Sequence, residues 1–478
     1  MAKDFVGGKA MVGRHNEKKQ LLRAFESENS EFVAIYGRRR VGKTFLVRET
    51  FGGGFVFQHS GLKKKSTVIQ LDRFRESLVE HGYEECPELK NWYKAFDALK
   101  VVVKRSGERK KVVFIDEMPW MDRPNSNFVS ALENFWNGWA SARKDVLLIV
   151  CGSASSWILR KVVHNKEGLH NRVTYRIPLK QFCLSECEEY ANSLGLEMTR
   201  PQILECYMVL GGIPYYWHYL ERGLSVAQNI DELFFAGNDK LENEFEELYE
   251  SLFQSPQPYV KVVEALAKKK SGLLRDEVVS ESGLADSGKL TEILKDLERC
   301  GFIRRYVPMG RISRGSIYQL IDNFTLFYYQ YVLPNHGRDR HYWTKKLSSP
   351  VHSTWAGLAF ERVCLEHVEQ MKEALRIGAV LTNEYAWRNP SAQIDLLIDR
   401  ADGIINVCEM KYSGSEYALD EKDDEAMRNR RQQLKVETGT RKAIHSTFVT
   451  VYGVKENAYS RNVQSFVSLK DLFREIER

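Results

Sequence analysis

The sequence predicts an α/β protein, with strand-and-helix domains near the N-terminus and at the C-terminus and helical modules between them. Three stretches carry that prediction. EFVAIYGRRRVGKTFLVRETF (31–51) passes from a short buried strand through a Gly-bounded loop into a helix, and KVVFIDEMPWM (111–121) is an apolar strand ending in two carboxylates. QIDLLIDRADGIINVCEMKYS (393–413) reads as two apolar strands joined by a tight turn. With 478 residues the chain has room for two to four domains, and the pattern changes place them at 1–185, 186–255, 256–325 and 326–478.

A charged fraction of 28% and a hydrophobic fraction of 43% are ordinary for a soluble globular protein. No segment approaches the roughly 18 uninterrupted apolar residues of a membrane helix, and MAKDFVGGKA lacks the apolar region of a signal peptide, so a cytoplasmic protein without membrane contact is expected. The eight cysteines are scattered among apolar neighbours with no CxxC pair, which argues for reduced core thiols and against a disulfide framework or zinc site. The net charge of +6 permits an anionic partner without requiring one.

The first stretch fits GxxxxGK[ST] between a strand and a helix: Gly37, Arg38, Arg39, Arg40, Val41, Gly42, Lys43 and Thr44. In such a loop the backbone N–H groups cradle phosphates, Lys43 reaches the β and γ phosphates of ATP, and Thr44 ligates Mg²⁺. Of the three arginines, at least two are expected at solvated or interface positions. In the second stretch Asp116 ends the strand where it would hold Mg²⁺, and Glu117 is placed to polarise the attacking water. A third strand, DVLLIVCGSASSWI, ends at Gly152 and Ser153, where Ser153 either senses the γ-phosphate or caps the following helix.

With the segment MVGRHNEKKQLL, carrying Gly13, Arg14 and Glu17, these motifs resemble the STAND and archaeal-type P-loop ATPases, relatives of AAA+ proteins. LGGIPYYWHYL resembles their GGxP motif at Gly211, Gly212 and Pro214. His15 stands where the pattern has its first glutamate. The resemblance spans residues 11 to 220 and implies a core sheet flanked by helices through about residue 185. Beyond that it implies a helical lid that places Pro214 against the nucleotide. It also implies a role for Arg172, either as an arginine finger across a homo-oligomer interface or in a local ion pair.

From Tyr259 onward three short helices precede a strand-turn-strand, FIRRYVPMGRISRGSIYQL, which describes a winged helix-turn-helix. Residues 256–320 hold 12 Lys and Arg against 8 Asp and Glu, with Arg304, Arg305, Arg311 and Arg314 at the wing. That suits contact with DNA phosphates, while docking of a protein partner is the other use of such a module. DNFTLFYYQYVLPNH is expected to be a buried connecting helix, its aromatics building core.

In the third stretch Ala401, Asp402 and Gly403 suit a three-residue hairpin loop, with the glycine at positive φ. Arg400 then faces Ile404, Asp395 falls opposite Glu409, and Lys411 shares Glu409's face. Buried charges must be paired or coordinate metal, and a Glu409–Lys411 pair alone leaves Asp395 pressed against Glu409. With Glu361 on the preceding helix, and Glu366 as its competitor there, Asp395, Glu409 and Lys411 resemble the PD-(D/E)xK nuclease superfamily. Ile394 stands in place of the motif's proline. The resemblance implies a C-terminal restriction-endonuclease-like α/β domain in which Asp395 and Glu409 share Mg²⁺, Lys411 acts on water or on the charged phosphate, and Glu361 completes the site. Gln432 or Gln433 on the following helix would contribute as in junction-resolving relatives.

The expected function is that of an ATP-binding and ATP-hydrolysing, DNA-associated protein with a Mg²⁺-dependent nuclease domain. The competing expectation is a nucleotide-switched regulator or scaffold whose nuclease fold no longer cuts.

Overall fold

The computed structural model describes residues 11–476 apart from 154, 164–167, 170, 238–240, 242–243, 254, 270, 308, 310–314, 336, 348 and 389–392. The chain divides into two compact units. Met1–Gln181 with Leu248–Pro256 forms the first, and Phe182–Glu247 with Gln257–Arg478 the second.

The first unit is built on five parallel strands, β1 (Glu31–Tyr36), β2 (Phe57–Ser60), β3 (Lys111–Asp116), β4 (Val146–Gly152) and β5 (Tyr175–Pro178), in the order β2-β3-β4-β1-β5. Every residue of β3 and β4 is buried, as a parallel sheet covered on both faces requires. One face is covered by helices Thr67–Glu80, Trp92–Arg105 and Phe128–Phe135. There Trp92 meets Phe74 and Phe128 edge-on, at ring separations of 5.5 and 4.8 Å. Because the strands are parallel, the C-terminal ends of β1, β3 and β4 open on one edge, which brings the glycine-rich loop and the Asp116–Glu117 pair together.

The second unit opens with helices Leu184–Ser193 and Arg200–Leu210. At the turn that follows, Phe182 N donates to Gly212 O at 2.7 Å, and a Cβ on Gly212 would lie 1.9 Å from Phe182 O. Gly212→Ala is therefore expected to destabilise the protein by about 1–3 kcal/mol or more. A lowered thermal midpoint checks this, and an unchanged one would contradict the close approach of the two backbones.

Three helices, Gln257–Lys268, Arg275–Ser282 and Gly288–Arg299, accompany a three-stranded antiparallel sheet of β6 (Leu273–Leu274), β7 (Ile303–Tyr306) and β8 (Ile317–Leu320), ordered β6-β8-β7. Of the wing arginines, Arg304 departs from the expectation of a DNA-facing side chain. Arg304 lies 3.7 Å from Glu384 with its guanidinium over the Tyr306 ring, so its charge is used inside the unit. Its strand neighbour Arg305 is exposed, since successive residues of a strand face opposite ways. Arg311 and Arg314 fall outside the described residues. The aromatic stretch forms helix Asn323–Phe327 and a wider π turn, Tyr328–Val332, with Phe324, Phe327 and Tyr331 buried as expected of core.

The C-terminal sheet runs β13-β12-β11-β10-β9, from β9 (Thr382–Arg388), β10 (Gln393–Arg400), β11 (Ile404–Lys411), β12 (Ala443–Thr450) and β13 (Ser465–Ser468). The first three strands are antiparallel, and helix Glu421–Thr438 crosses from β11 to the parallel β12. The hairpin register is the expected one, with Leu396 opposite Cys408 and Asp399 opposite Ile405, and Gly403 has φ 87°.

Candidate active sites

At the edge of the first sheet Gly42 precedes helix Lys43–Phe51, and Lys43 curls its ammonium beneath the loop, donating to Gly37 O (3.0 Å) and Arg38 O (2.7 Å). Thr44 donates its hydroxyl to Asp116 at 2.5 Å, so the two groups predicted to share a cation already adjoin. Arg38 and Val41 are buried, and Arg39 and Arg40 are half-buried, so none of the three arginines is fully exposed. Arg14 is buried and fastens the loop from below, donating to Val41 O (3.2 Å) and Lys180 O (2.7 Å). Its motif partner Glu17 lies 3.8 Å away.

Glu117 sits just past β3 in the left-handed region, φ 47°, with its N–H donating to Asp116 at 2.8 Å. Burial pushes its carboxyl above the usual range and the Asp116 charge adds to that, while Lys43 and the Ser153 hydrogen bond resist. Ser153 aims its hydroxyl at both Glu117 oxygens, 3.0 and 2.9 Å away, an arrangement anticipated by neither sequence reading. Beside this pair opens a cavity of about 470 Å³ walled by Trp120, Trp157, Arg123, Arg160 and Lys161, with the Trp157 indole fixed to Asp122 at 2.8 Å. Arg172 lies exposed in the turn before β5. Pro214 begins helix Pro214–Trp217 in the second unit, where the Trp217 indole donates to Gly211 O at 2.8 Å.

In the C-terminal sheet the register puts Asp395 and Glu409 next in line after the Leu396–Cys408 pair. Lys411 Nζ stands 3.1 Å from one Glu409 oxygen, and Arg430, from helix Glu421–Thr438, stands 2.9 Å from the other. Arg430 Nε also donates to Gln393 O (3.1 Å), while the Gln393 amide donates to Asp395 (2.6 Å). Burial raises the Asp395 carboxyl and Glu409 raises it further, opposing the Gln393 bond and Arg430. Glu361, on helix Pro350–Glu366, is pushed well above the carboxylate range by burial and by Asp395, with a smaller contribution from Glu409. The three carboxylates thus share one electrostatic neighbourhood. Glu366 instead accepts from the Tyr207 hydroxyl at 2.9 Å, which favours Glu361 over its competitor.

Residues 11–220 match the family model of an ATPase domain found predominantly in Archaea. This stretch is an archaeal-type ATPase domain. An uncharacterized protein of Methanocaldococcus jannaschii is 27% identical over 399 residues, which cover 81% of this chain and 83% of that protein. Among solved structures, the chain is similar to the Walker-type ATPase of Pyrococcus abyssi at 16% identity and a TM-score of 0.49, covering 66% of this chain and 95% of that one. It is also similar to the ORC2 protein of Aeropyrum pernix at 14% identity and a TM-score of 0.45, covering 68% and 94%.

An ATPase domain of this kind binds nucleotide with a divalent metal, and the residues present fit both. Lys43 offers a cation within the loop, and Thr44 with Asp116 offers a hydroxyl and a carboxylate already 2.5 Å apart. In the C-terminal site two hard oxygen donors suit Mg²⁺, which keeps several waters and takes one or two carboxylates. Among the described residues no three His, Cys, Asp or Glu side chains already stand as a metal cage. No helix among them is long and apolar enough to cross a membrane. Sequence reasoning missed the clamp made by Arg14, the cavity beside Glu117, and Arg430. The GR pair marked Arg14 only as a motif, and nothing in RNRRQQ distinguishes the arginine that meets Glu409.

Proposed function

We propose that the protein is an ATP-dependent DNA-processing enzyme whose C-terminal domain cuts phosphodiesters with the help of Mg²⁺. In the ATPase domain Lys43 would neutralise the phosphates, Thr44 and Asp116 would hold the metal, and Glu117, oriented by Ser153, would take the proton of the attacking water. In the C-terminal site Asp395 and Glu409 would hold Mg²⁺, whose chemistry is to polarise the phosphoryl group and acidify water. Lys411 supplies fixed positive charge where negative charge develops, and Glu361, its carboxyl raised by burial, is suited to hold a proton there. The observation that carries this reading is the convergence of Asp395, Glu409 and Lys411 on neighbouring strands, with Glu361 inside their field. The module at 257–320, read as a winged helix, would bind DNA, with exposed Arg305 on a phosphate.

One observation favours a second reading, that of a nucleotide-switched DNA-binding regulator: both Glu409 oxygens are engaged by cationic side chains. Labelled linear, circular, single-stranded and branched DNA, incubated with Mg²⁺ or Mn²⁺ and with or without ATP, separates the two. Cleavage by the wild type that disappears in Glu409→Ala supports the nuclease, and the Lys43→Ala protein reports whether ATP gates it. Absence of cutting on every substrate, with ATPase activity intact, would give the regulator reading the lead.

A further inference from the structure

Arg430 is a cationic member of the C-terminal cluster that neither the motif nor the proposed reaction uses. It lies on helix Glu421–Thr438, outside the hairpin, and is about three-quarters buried. Its guanidinium makes two contacts that the hairpin's own geometry determines. One nitrogen is 2.9 Å from the Glu409 oxygen opposite the one Lys411 engages, and another donates to the Gln393 backbone at 3.1 Å. Gln393 in turn donates to Asp395. Arg430 therefore bridges both strands at the point where the carboxylates face each other, and its charge acts on Asp395 as well as on Glu409.

Two like charges on adjoining strands call for a counter-charge, and a divalent cation and a guanidinium are alternative solutions to the same electrostatic problem. Both cannot occupy the Glu409 oxygen at once with full strength. The guanidinium is also a planar fork suited to phosphate, on a side chain long enough to turn from a carboxylate to a nearby anion.

We infer that Arg430 is a built-in counter-ion of the carboxylate pair that a divalent cation displaces, and that the released guanidinium then binds the phosphodiester of the DNA strand. The inference rests on the nuclease reading of the C-terminal site. It couples metal loading to substrate binding: metal at Asp395 and Glu409 makes the phosphate-binding cation available, and DNA phosphate draws Arg430 away from the metal's ligand. Arg430 is thus a substrate-positioning residue with an opposing effect on the metal.

The coupling has a signature of opposite signs. In the full-length protein, Arg430→Gln is expected to tighten Mn²⁺ binding by about tenfold, the size of effect typical of groups one layer out from a metal. The same variant is expected to weaken binding of a short DNA duplex, measured with Ca²⁺ in place of Mg²⁺ to prevent turnover. Arg430→Lys, which keeps the charge and loses the fork, is expected to lie between wild type and Arg430→Gln in both measurements. Isothermal titration calorimetry with Mn²⁺ and fluorescence anisotropy with labelled duplex read the two effects without reference to activity. A merely structural arginine would weaken both or neither, and either result overturns the inference. If Asp395→Asn leaves Mn²⁺ binding unchanged, the nuclease reading fails and the inference falls with it. If Asp395→Asn removes one Mn²⁺-binding event while Arg430→Gln leaves that event unaltered, the metal site stands and the inference alone is overturned.

Discussion

Glu117→Gln is expected to bind ATP as tightly as the wild type and to hydrolyse it about 10²–10⁴-fold more slowly, the usual share of a general base. The substitution preserves shape and the hydrogen bond from Ser153 while removing the ability to take a proton. Equilibrium binding of a labelled nucleotide and steady-state phosphate release check the two halves separately. Because burial and Asp116 raise the Glu117 carboxyl, the wild-type enzyme is expected to lose kcat/KM on acidification above the ordinary carboxylate pKa of about 4. The sign follows from the role, since the base works only when deprotonated and the rate rises with pH through its pKa. Ser153→Ala removes a bond that favours the charged form, so its acid limb should move to higher pH. A limb that stays put would show that Ser153 does not act on Glu117.

Asp395→Asn is expected to abolish metal-dependent DNA cleavage and yet to leave the fold as stable or more stable, by about 0.5–2 kcal/mol. The reasoning is electrostatic. Burial raises the carboxyl pKa values of Asp395 and Glu361, and neighbouring carboxylates add to it, Glu409 at Asp395 and both Asp395 and Glu409 at Glu361. A carboxyl whose folded pKa is raised contributes stability that is fully present below its unfolded pKa and is lost as pH rises through the folded value. The wild type should therefore lose stability as pH rises from about 4 through the raised Asp395 pKa, and the Asn variant should lack that component. Chemical denaturation at pH 4 and pH 8, alongside the cleavage assay, tests both statements. A strongly destabilised variant would mark Asp395 as a structural group and remove the argument for a metal.

Local pattern made much of the fold legible. GRRRVGKT between a strand and a helix, and Asp116 and Glu117 at the end of an apolar strand, located the nucleotide edge because parallel strands present their C-terminal ends together. The hairpin register followed from a loop three residues long and a glycine able to take φ 87°, so that Leu396 falls opposite Cys408. What stayed hidden depends on partners far along the chain. Arg304 looked like a DNA contact, and its counter-charge, Glu384, comes eighty positions later on β9. Arg14 carried a motif but not the reason for it, which is a pair of backbone carbonyls at Val41 and Lys180. Periodicity tells a helix face from a strand face; it does not tell which of several arginines on one helix turns toward a carboxylate.

The order in which the chain is made adds a last consequence. Leu248–Pro256 belongs to the first unit although residues 182–247 belong to the second, and Ser251, Leu252 and Phe253 wall the cavity beside Glu117. During translation, at roughly 5–20 residues per second, the ATPase unit thus remains without part of one wall until the ribosome has delivered a long stretch of the neighbouring unit. A nascent chain halted before residue 248 would present the glycine-rich loop and Glu117 but an incomplete cavity. Completion of that wall therefore waits for residues 182–247 of the second unit, and it precedes the synthesis of residues 257–478, which make up the rest of it.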